Sequence, residues 1–183
     1  MSIKSKAIDE KASRKCVAAD WQTPKDIIDA VKQIYGGRIE LDPATTPSNP
    51  VGAGHFFTPD RSGLVRGWGF HGDVFVNPPY GRELRQWVEK IGLEARKGCR
   101  IIALLPANRL ETIYLQKAIF HRHLDAMVLL RRRLAFIDAS TGLAVKNNTF
   151  GSILYCFGIA PSLLWPLSKF GTVIKTHAMD YDR

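Results

Sequence analysis

Asp73-Val74-Phe75-Val76-Asn77-Pro78-Pro79-Tyr80-Gly81 is the stretch from which the rest of the chain can be read. A short apolar run stops there at an Asn-Pro-Pro-aromatic turn. Neither proline can donate to a β-ladder, and each pushes the residue before it into extended geometry, so a strand has to end at Asn77. The Asn77 amide is thereby set at a strand tip, in a rigid turn, with the Pro78 carbonyl beside it and the Tyr80 ring close by.

Two acceptors, the Asn77 side-chain oxygen and the Pro78 carbonyl, next to an aromatic face suit a planar substrate carrying an exocyclic NH2 group. Its two N–H bonds meet the acceptors and its ring stacks on Tyr80. Adenine is such a substrate. An aryl amine attacks poorly because its lone pair is delocalised into the ring, and held hydrogens push the nitrogen towards tetrahedral geometry. Positioning and aligned dipoles achieve this without a covalent intermediate. Asn77-Pro78-Pro79-Tyr80 resembles the Asn-Pro-Pro-Tyr motif of S-adenosylmethionine-dependent amino-methyltransferases, although four residues of this kind also fit an ordinary strand-ending turn.

Composition narrows the classes. The chain has 183 residues with 45% apolar content, enough for one domain around a sizeable core. No apolar run approaches the roughly 18 residues of a membrane span, and residues 1–20 lack the apolar centre of a signal peptide, so a cytoplasmic setting is expected. Cys16, Cys99 and Cys156 are far apart and without Cys-x-x-Cys spacing, which indicates neither a disulfide framework nor a zinc site. None follows a proline, so the Pro-Cys nucleophile chemistry of cytosine carbon-5 methylation is not offered. The His121/His123 pair is expected to face solvent or nucleic acid, and no metal site is expected. With 26 basic against 17 acidic residues the net charge is +9, which favours a polyanionic partner.

Taken in order, residues 1–20 read as a flexible basic arm and 21–183 as a single domain. Thr23 caps a helix in this reading, with Pro24 in its first turn and Asp26 completing a Thr-x-x-Asp box. Ile27, Ile28, Val31, Ile34 and Tyr35 repeat at helical spacing, and Gly36-Gly37 ends them. Arg38 to Leu41 reads as a strand running into Asp42-Pro43-Ala44. In open α/β sheets ligands sit outside the carboxyl ends of strands, which places Asp42 well for a nucleotide-like cofactor. Residues 45–72 are rich in Gly, Pro and Ser, with Phe56-Phe57-Thr58 as a strand-like piece. Asp60, 18 residues past Asp42, stands where an acid would meet a cofactor ribose or adenine, and also where a turn would use an aspartate.

Leu84, Trp87, Val88, Ile91 and Ala95 form one apolar helical face, and Arg82 and Arg85 open that helix beside the loop, convenient for phosphate. Ile101 to Leu105 reads as a strand buried on both faces, Asn108 to Phe120 as a helix, and Ala126 to Leu130 as another buried strand. Strands alternating with helices predict a mostly parallel, doubly wound sheet. Arg131-Arg132-Arg133 follows at a strand's carboxyl end and is assigned to DNA phosphate. Leu134–Ile137 and Phe150–Phe157 read as a closing antiparallel hairpin around a polar loop with Asn147, and 158–183 as an irregular tail.

The succession Trp21-x-Thr23-Pro24, Asp42-Pro43-Ala44, Phe57-Thr58, Asn77-Pro78-Pro79-Tyr80 and the Arg-x-x-x-Phe segment ending at Phe136 resembles the phage-type DNA N6-adenine methyltransferase (Dam-like) family over residues 21–157. The resemblance departs where glycines are expected directly after Asp42 and Thr45-Thr46-Pro47-Ser48-Asn49 intervenes. It implies a Rossmann-like class I methyltransferase fold with S-adenosylmethionine as cofactor and double-stranded DNA as partner. Its reaction is methyl transfer to the N6 amino group of a flipped adenine. It further implies a catalytic role for Asn77, Pro78, Pro79 and Tyr80 and cofactor contacts from Trp21, Thr23, Pro24, Asp42, Pro43, Ala44 and Asp60. Arg82, Arg85, Arg131, Arg132, Arg133, Phe136 and Asn147 fall on the DNA side, with target reading left to loops 45–60 and 138–149. Cytosine N4, RNA adenine and a glutamine side chain suit the same loop, and a nucleic-acid-binding module without cofactor is a further alternative; the basic charge argues against glutamine.

Overall fold

The computed structural model describes residues 21–69, 72–120, 124–145 and 150–176. The expected N-terminal arm, His121, His123 and Asn147 lie outside them.

Among the described residues, nine strands and three helices follow in order: β1 (Trp21–Gln22), α1 (Lys25–Ile34), β2 (Leu41–Asp42), β3 (His55–Phe56), β4 (Asp73–Val76), α2 (Leu84–Arg96), β5 (Arg100–Pro106), α3 (Ile113–Leu115), β6 (Leu124–Leu130), β7 (Ile137–Asp138), β8 (Ser152–Phe157) and β9 (Gly171–Lys175). Seven of them form one sheet in the order β3-β2-β4-β5-β8-β6-β9, and β1 pairs with β7 in a separate two-stranded ribbon. Pairing is parallel from β3 through β2 and β4 to β5. It is antiparallel on both sides of β8 and between β6 and β9. Strands β3, β2, β4, β5 and β6 therefore point one way, with β8 and β9 reversed.

The period-two alternation of a strand sends successive side chains to opposite faces, and here each face is roofed. On one face Phe75, Ile102, Leu104, Ala126, Val128, Leu154 and Cys156 pack with α1 (Ile27, Ile28, Val31, Ile34) and the 3₁₀ segment Pro161–Leu167. On the other, Val74, Val76, Ile101, Ala103, Leu105, Ile153, Tyr155 and Phe157 pack with α2 and the segment after α3. The Tyr35 hydroxyl donates to the Val74 carbonyl at 2.8 Å and sets the end of α1 against β4.

Several expectations need correction. The closing hairpin does not form: β8 inserts between β5 and β6, while β7 pairs with β1. All six residues of β8 are buried, so the strand requires neighbours on both edges and helices on both faces, which only a central position supplies. The helix expected from Asn108 to Phe120 is broken into a 3₁₀ turn (Ala107–Arg109), the single turn α3 and a π-helical turn (Gln116–Phe120). The segment beyond 158 is not irregular: it carries the 3₁₀ segment Pro161–Leu167 and β9, the edge strand of the sheet. Thr23 makes no side-chain cap: Pro24 takes the N-cap position of α1, and the Asp26 carboxylate accepts from the Ile27 amide at 2.9 Å.

The widening in the 116–120 segment has a visible neighbour at Gly92. A Cβ at Gly92 would lie 2.2 Å from the Ala118 carbonyl oxygen, so α2 and this segment touch backbone to backbone. Close by, Glu94 is a buried carboxylate that accepts from Lys90 at 2.7 Å, Lys97 at 3.1 Å and the Trp68 amide at 3.3 Å. The indole of Trp68 in turn donates to the Gly63 carbonyl at 2.9 Å, so one acid fastens the 63–68 loop to α2. Burial alone would raise the Glu94 pKa, but the bonds from Lys90, Lys97 and Trp68 outweigh it and hold the carboxyl below its ordinary value. A depressed carboxylate pKa contributes stability above the unfolded value that is lost as pH falls through the folded one. Glu94→Gln is expected to cost about 3 kcal/mol in urea unfolding at neutral pH, because it leaves the largely enclosed Lys90 ammonium without its counter-charge. The difference from wild type should shrink in acid; equal stability at neutral pH would contradict this role.

Candidate active site

Parallel β2, β4, β5 and β6 bring their carboxyl ends to one edge of the sheet, where the segments following them meet. Two residues at this edge, Asp42 ending β2 and Asn77 just past β4, line one pocket together with Trp21, Gln22, Thr23, Ala44, Thr45, Thr46, Pro50 and Val51. The structure thus gathers Asn77 with four of the seven expected cofactor residues, Trp21, Thr23, Asp42 and Ala44. Pro43 is buried behind them against Gly63, where a Cβ would sit 2.4 Å from the Pro43 carbonyl oxygen; only glycine allows this approach.

Asp60 is not brought to the pocket lining. It is exposed in the 3₁₀ turn Pro59–Arg61, where Thr58 Oγ1 donates to its carboxylate and lowers its pKa. Pro24 faces a different cleft. Gln22, Thr45, Thr46, Pro50 and Val51 line the pocket without having been singled out from sequence. The loop replacing the expected glycines explains the last four. Asn49 adopts a left-handed φ of 44° and clasps Ala53 in both directions, donating to its carbonyl at 2.9 Å and accepting from its amide at 3.1 Å. That clasp closes residues 49–53 into a compact turn and carries Pro50 and Val51 to the pocket. The Asn49-Pro50 dipeptide, which marks a turn, is the local signal that would have pointed to it.

At the Asn77-Pro78-Pro79-Tyr80 loop, Asn77 Nδ2 donates to the Trp21 carbonyl at 3.3 Å and to Thr23 Oγ1 at 3.2 Å. Pro78 is buried and Pro79 half-buried. The Tyr80 hydroxyl donates to the Leu104 carbonyl at 3.2 Å, and burial raises its pKa well above the ordinary phenol value. Phe136, expected on the DNA side, is fully buried in the core and meets both sides of the site: it stacks on Trp21 at 5.6 Å and lies edge-on to Tyr80 at 6.3 Å. Its contacts are those of a wedge that holds the loop and β1 apart at a fixed distance.

The basic residues divide between two clefts. Arg131, Arg132 and Arg133 follow β6 and, with Lys169, Phe170, Pro24, Asp26, Leu130, Leu134 and Ala135, line one of them. Arg131 Nη2 also donates to the Ser168 carbonyl at 3.0 Å. Lys169 comes from the tail that sequence reading left as irregular. Arg85 lines a groove between α2 and α3 and is paired to Glu89 at 2.8 Å, while Arg82 is exposed in the turn before α2. No cluster of three or more His, Cys, Asp or Glu suited to a metal occurs among the described residues, nor any helix long and apolar enough to cross a membrane.

Asp42 is the electrostatic centre of the pocket. Burial raises its pKa from 3.8 to about 7, against the lowering effect of the Ala44 amide at 3.1 Å and the Thr45 hydroxyl. A buried carboxylate with two donors, open to a polar pocket, is suited to a ligand that brings positive charge or N–H groups. The sign follows from linkage. A raised acid pKa means the folded state binds more protons between pH 3.8 and about 7, so stability falls as pH rises through that window. Asp42→Asn is therefore expected to stabilise the ligand-free chain at pH 8 by on the order of 2 kcal/mol, with the gain gone below pH 4. Thermal unfolding across pH checks this, and a gain independent of pH would contradict it.

The family model for DNA N-6-adenine-methyltransferase (Dam) matches residues 11–181. A DNA N-6-adenine-methyltransferase of Escherichia phage T1 is 32% identical over 148 residues, a match that covers 74% of this chain and 60% of the phage protein. The chain thus spans about three-fifths of that relative's length. A match running through β1, the Asp42 tip, the Asn77 loop and β9 encloses every element that builds the pocket, and the chain belongs to the DNA N-6-adenine-methyltransferase (Dam) family.

Proposed function

We propose that this chain transfers the methyl group of S-adenosylmethionine to the N6 amino group of adenine in DNA, on a Rossmann-like class I methyltransferase fold. The observation that carries the reading is the meeting of two things at one sheet edge: a pocket floored by the buried Asp42 carboxylate, and the Asn77 amide at its rim. Family membership supports the same assignment.

The pocket residues fit the cofactor in kind. Asp42 and the Thr45 and Thr46 hydroxyls offer partners for a polar methionine or ribose end, and the Trp21 ring and Val51 offer apolar cover. When bound, the cofactor supplies an electrophilic methyl group on sulfonium. The chain's own residues do the rest. Asn77 Oδ1 and the Pro78 carbonyl accept the two N6 hydrogens of an extruded adenine, which localises the lone pair on nitrogen. Tyr80, anchored through Leu104, offers its ring for stacking. Fixing nucleophile and methyl in line removes most of the entropic part of the barrier. The exposed Arg132 and Arg133 beside Lys169 supply a phosphate-binding strip that positions DNA without reading it.

Incubating unmethylated double-stranded DNA with labelled cofactor and digesting to nucleosides is expected to put the label in N6-methyladenine. Label in N4-methylcytosine, label only with RNA, or no label would overturn the reading. Asn77→Ala should lower turnover about 10²- to 10³-fold with DNA affinity little changed, since it removes an acceptor used in the transition state. Arg132→Ala with Arg133→Ala should weaken binding to all DNA sequences alike and reduce the slope of log K against log salt by about 2. An unchanged slope would place phosphate contact elsewhere.

A further inference from the structure

Thr23 sits in the pocket lining, yet its hydroxyl meets the chain itself. Asn77 Nδ2 lies 3.2 Å from Thr23 Oγ1 and 3.3 Å from the Trp21 carbonyl oxygen. A backbone carbonyl has no proton to give, so the amide atom facing Trp21 must be the NH2 nitrogen; the hydrogen-bond partner settles which way round the Asn77 amide stands. Both amide protons are then engaged, one on each acceptor. The end left to meet a substrate is the oxygen.

Both acceptors belong to one short stretch that is itself held in place. β1 pairs with β7 through Trp21↔Asp138 and Gln22↔Ile137, and the Trp21 ring stacks on the buried Phe136. The orientation of an amide at position 77 is thus imposed from residues 21–23. This also accounts for the missing helix cap, since the Thr23 hydroxyl faces Asn77 instead of α1.

We propose that Thr23 is a positioning residue: its hydroxyl, with the Trp21 carbonyl, locks the Asn77 amide so that Oδ1 and not Nδ2 is presented to the amino group being methylated. A half-turn of the amide would set NH2 against NH2 and leave the Pro78 carbonyl as acceptor for only one of the two N6 hydrogens, so the nitrogen lone pair would be less well localised. This rests on the amino-methyltransferase reading of the site, and it departs from that reading's first assignment of Thr23 as a cofactor contact.

The test uses the full chain with Thr23→Val, which keeps shape and removes the hydroxyl, and Thr23→Ser, which keeps the hydroxyl. Thr23→Val is expected to lower kcat about ten-fold, the worth of one neutral hydrogen bond, with KM for DNA and the calorimetric Kd for S-adenosylmethionine within two-fold of wild type. Thr23→Ser is expected to restore most of the turnover. The second readout needs no activity: the Asn77 side-chain NH2 pair, assigned in ¹⁵N spectra by its disappearance in Asn77→Ala, should exchange slowly with water in wild type and faster in Thr23→Val. A Thr23→Val variant with unchanged kcat, or one that loses cofactor affinity while kcat holds, would overturn the proposal. If the wild type methylates no DNA, the reading of the site fails, and the spectra still judge the clamp: slow exchange lost in Thr23→Val upholds it, and identical exchange in the two proteins removes it.

Discussion

A β-strand cannot run through Pro78-Pro79, and the site depends on that constraint. β4 has to stop at Val76, so Asn77 emerges at the carboxyl edge of the sheet with its side chain free of the ladder. What the prolines do not decide is which way the amide faces. That is set by residues 21–23, more than fifty residues upstream in sequence, through the Trp21 carbonyl and the Thr23 hydroxyl. The stop is local chemistry and the orientation is tertiary, and the proposed catalysis needs both.

The sheet delivers the rest. Parallel strands align their carboxyl ends, so Asp42 after β2 and Asn77 after β4 reach one pocket, and the Arg131–Arg133 strip after β6 reaches the same edge. β8, reversed between β5 and β6, adds no loop to that edge from its own carboxyl end, but with six buried residues it joins the two halves of the core. Phe136 connects the halves of the site in turn, stacked on Trp21 and edge-on to Tyr80. Two kinds of surface therefore adjoin: a pocket centred on one buried acid, and a basic strip on the outside.

Much of this was legible in the sequence, for physical reasons that can be named. The break at Asn77-Pro78-Pro79, the doubly buried run Ile101–Leu105 and the apolar faces of α1 and α2 each follow from local rules, and each appears where expected. Family membership agrees with the resemblance carried by the ordered motifs. What stayed hidden was what depends on partners distant in sequence. Whether Phe150–Phe157 pairs with its neighbour or inserts between two other strands is a question of sheet order, to which local pattern is blind. Thr23 before Pro24 has the form of a helix cap; only the arrival of Asn77 shows where its hydroxyl goes. Nothing local marks Glu94, whose role comes from Trp68 and two lysines closing on it, and Lys169 has meaning only beside Arg131–Arg133. Asp60 illustrates the reverse: a spacing that suggested a cofactor contact is occupied in the structure by a residue closing its own turn with Thr58.

In the proposed reaction one pocket, between Trp21 and Asp42, presents the cofactor to the Asn77 loop. A crystal structure of the chain with S-adenosylhomocysteine tests it most directly. The ligand is expected in the pocket lined by Trp21, Thr23, Asp42, Ala44 and Val51, with its sulfur turned towards Asn77 and Asp42 within hydrogen-bond reach of it. A ligand bound in the basic cleft of Arg131–Arg133 or along α2, or no bound ligand at millimolar concentration, would contradict it.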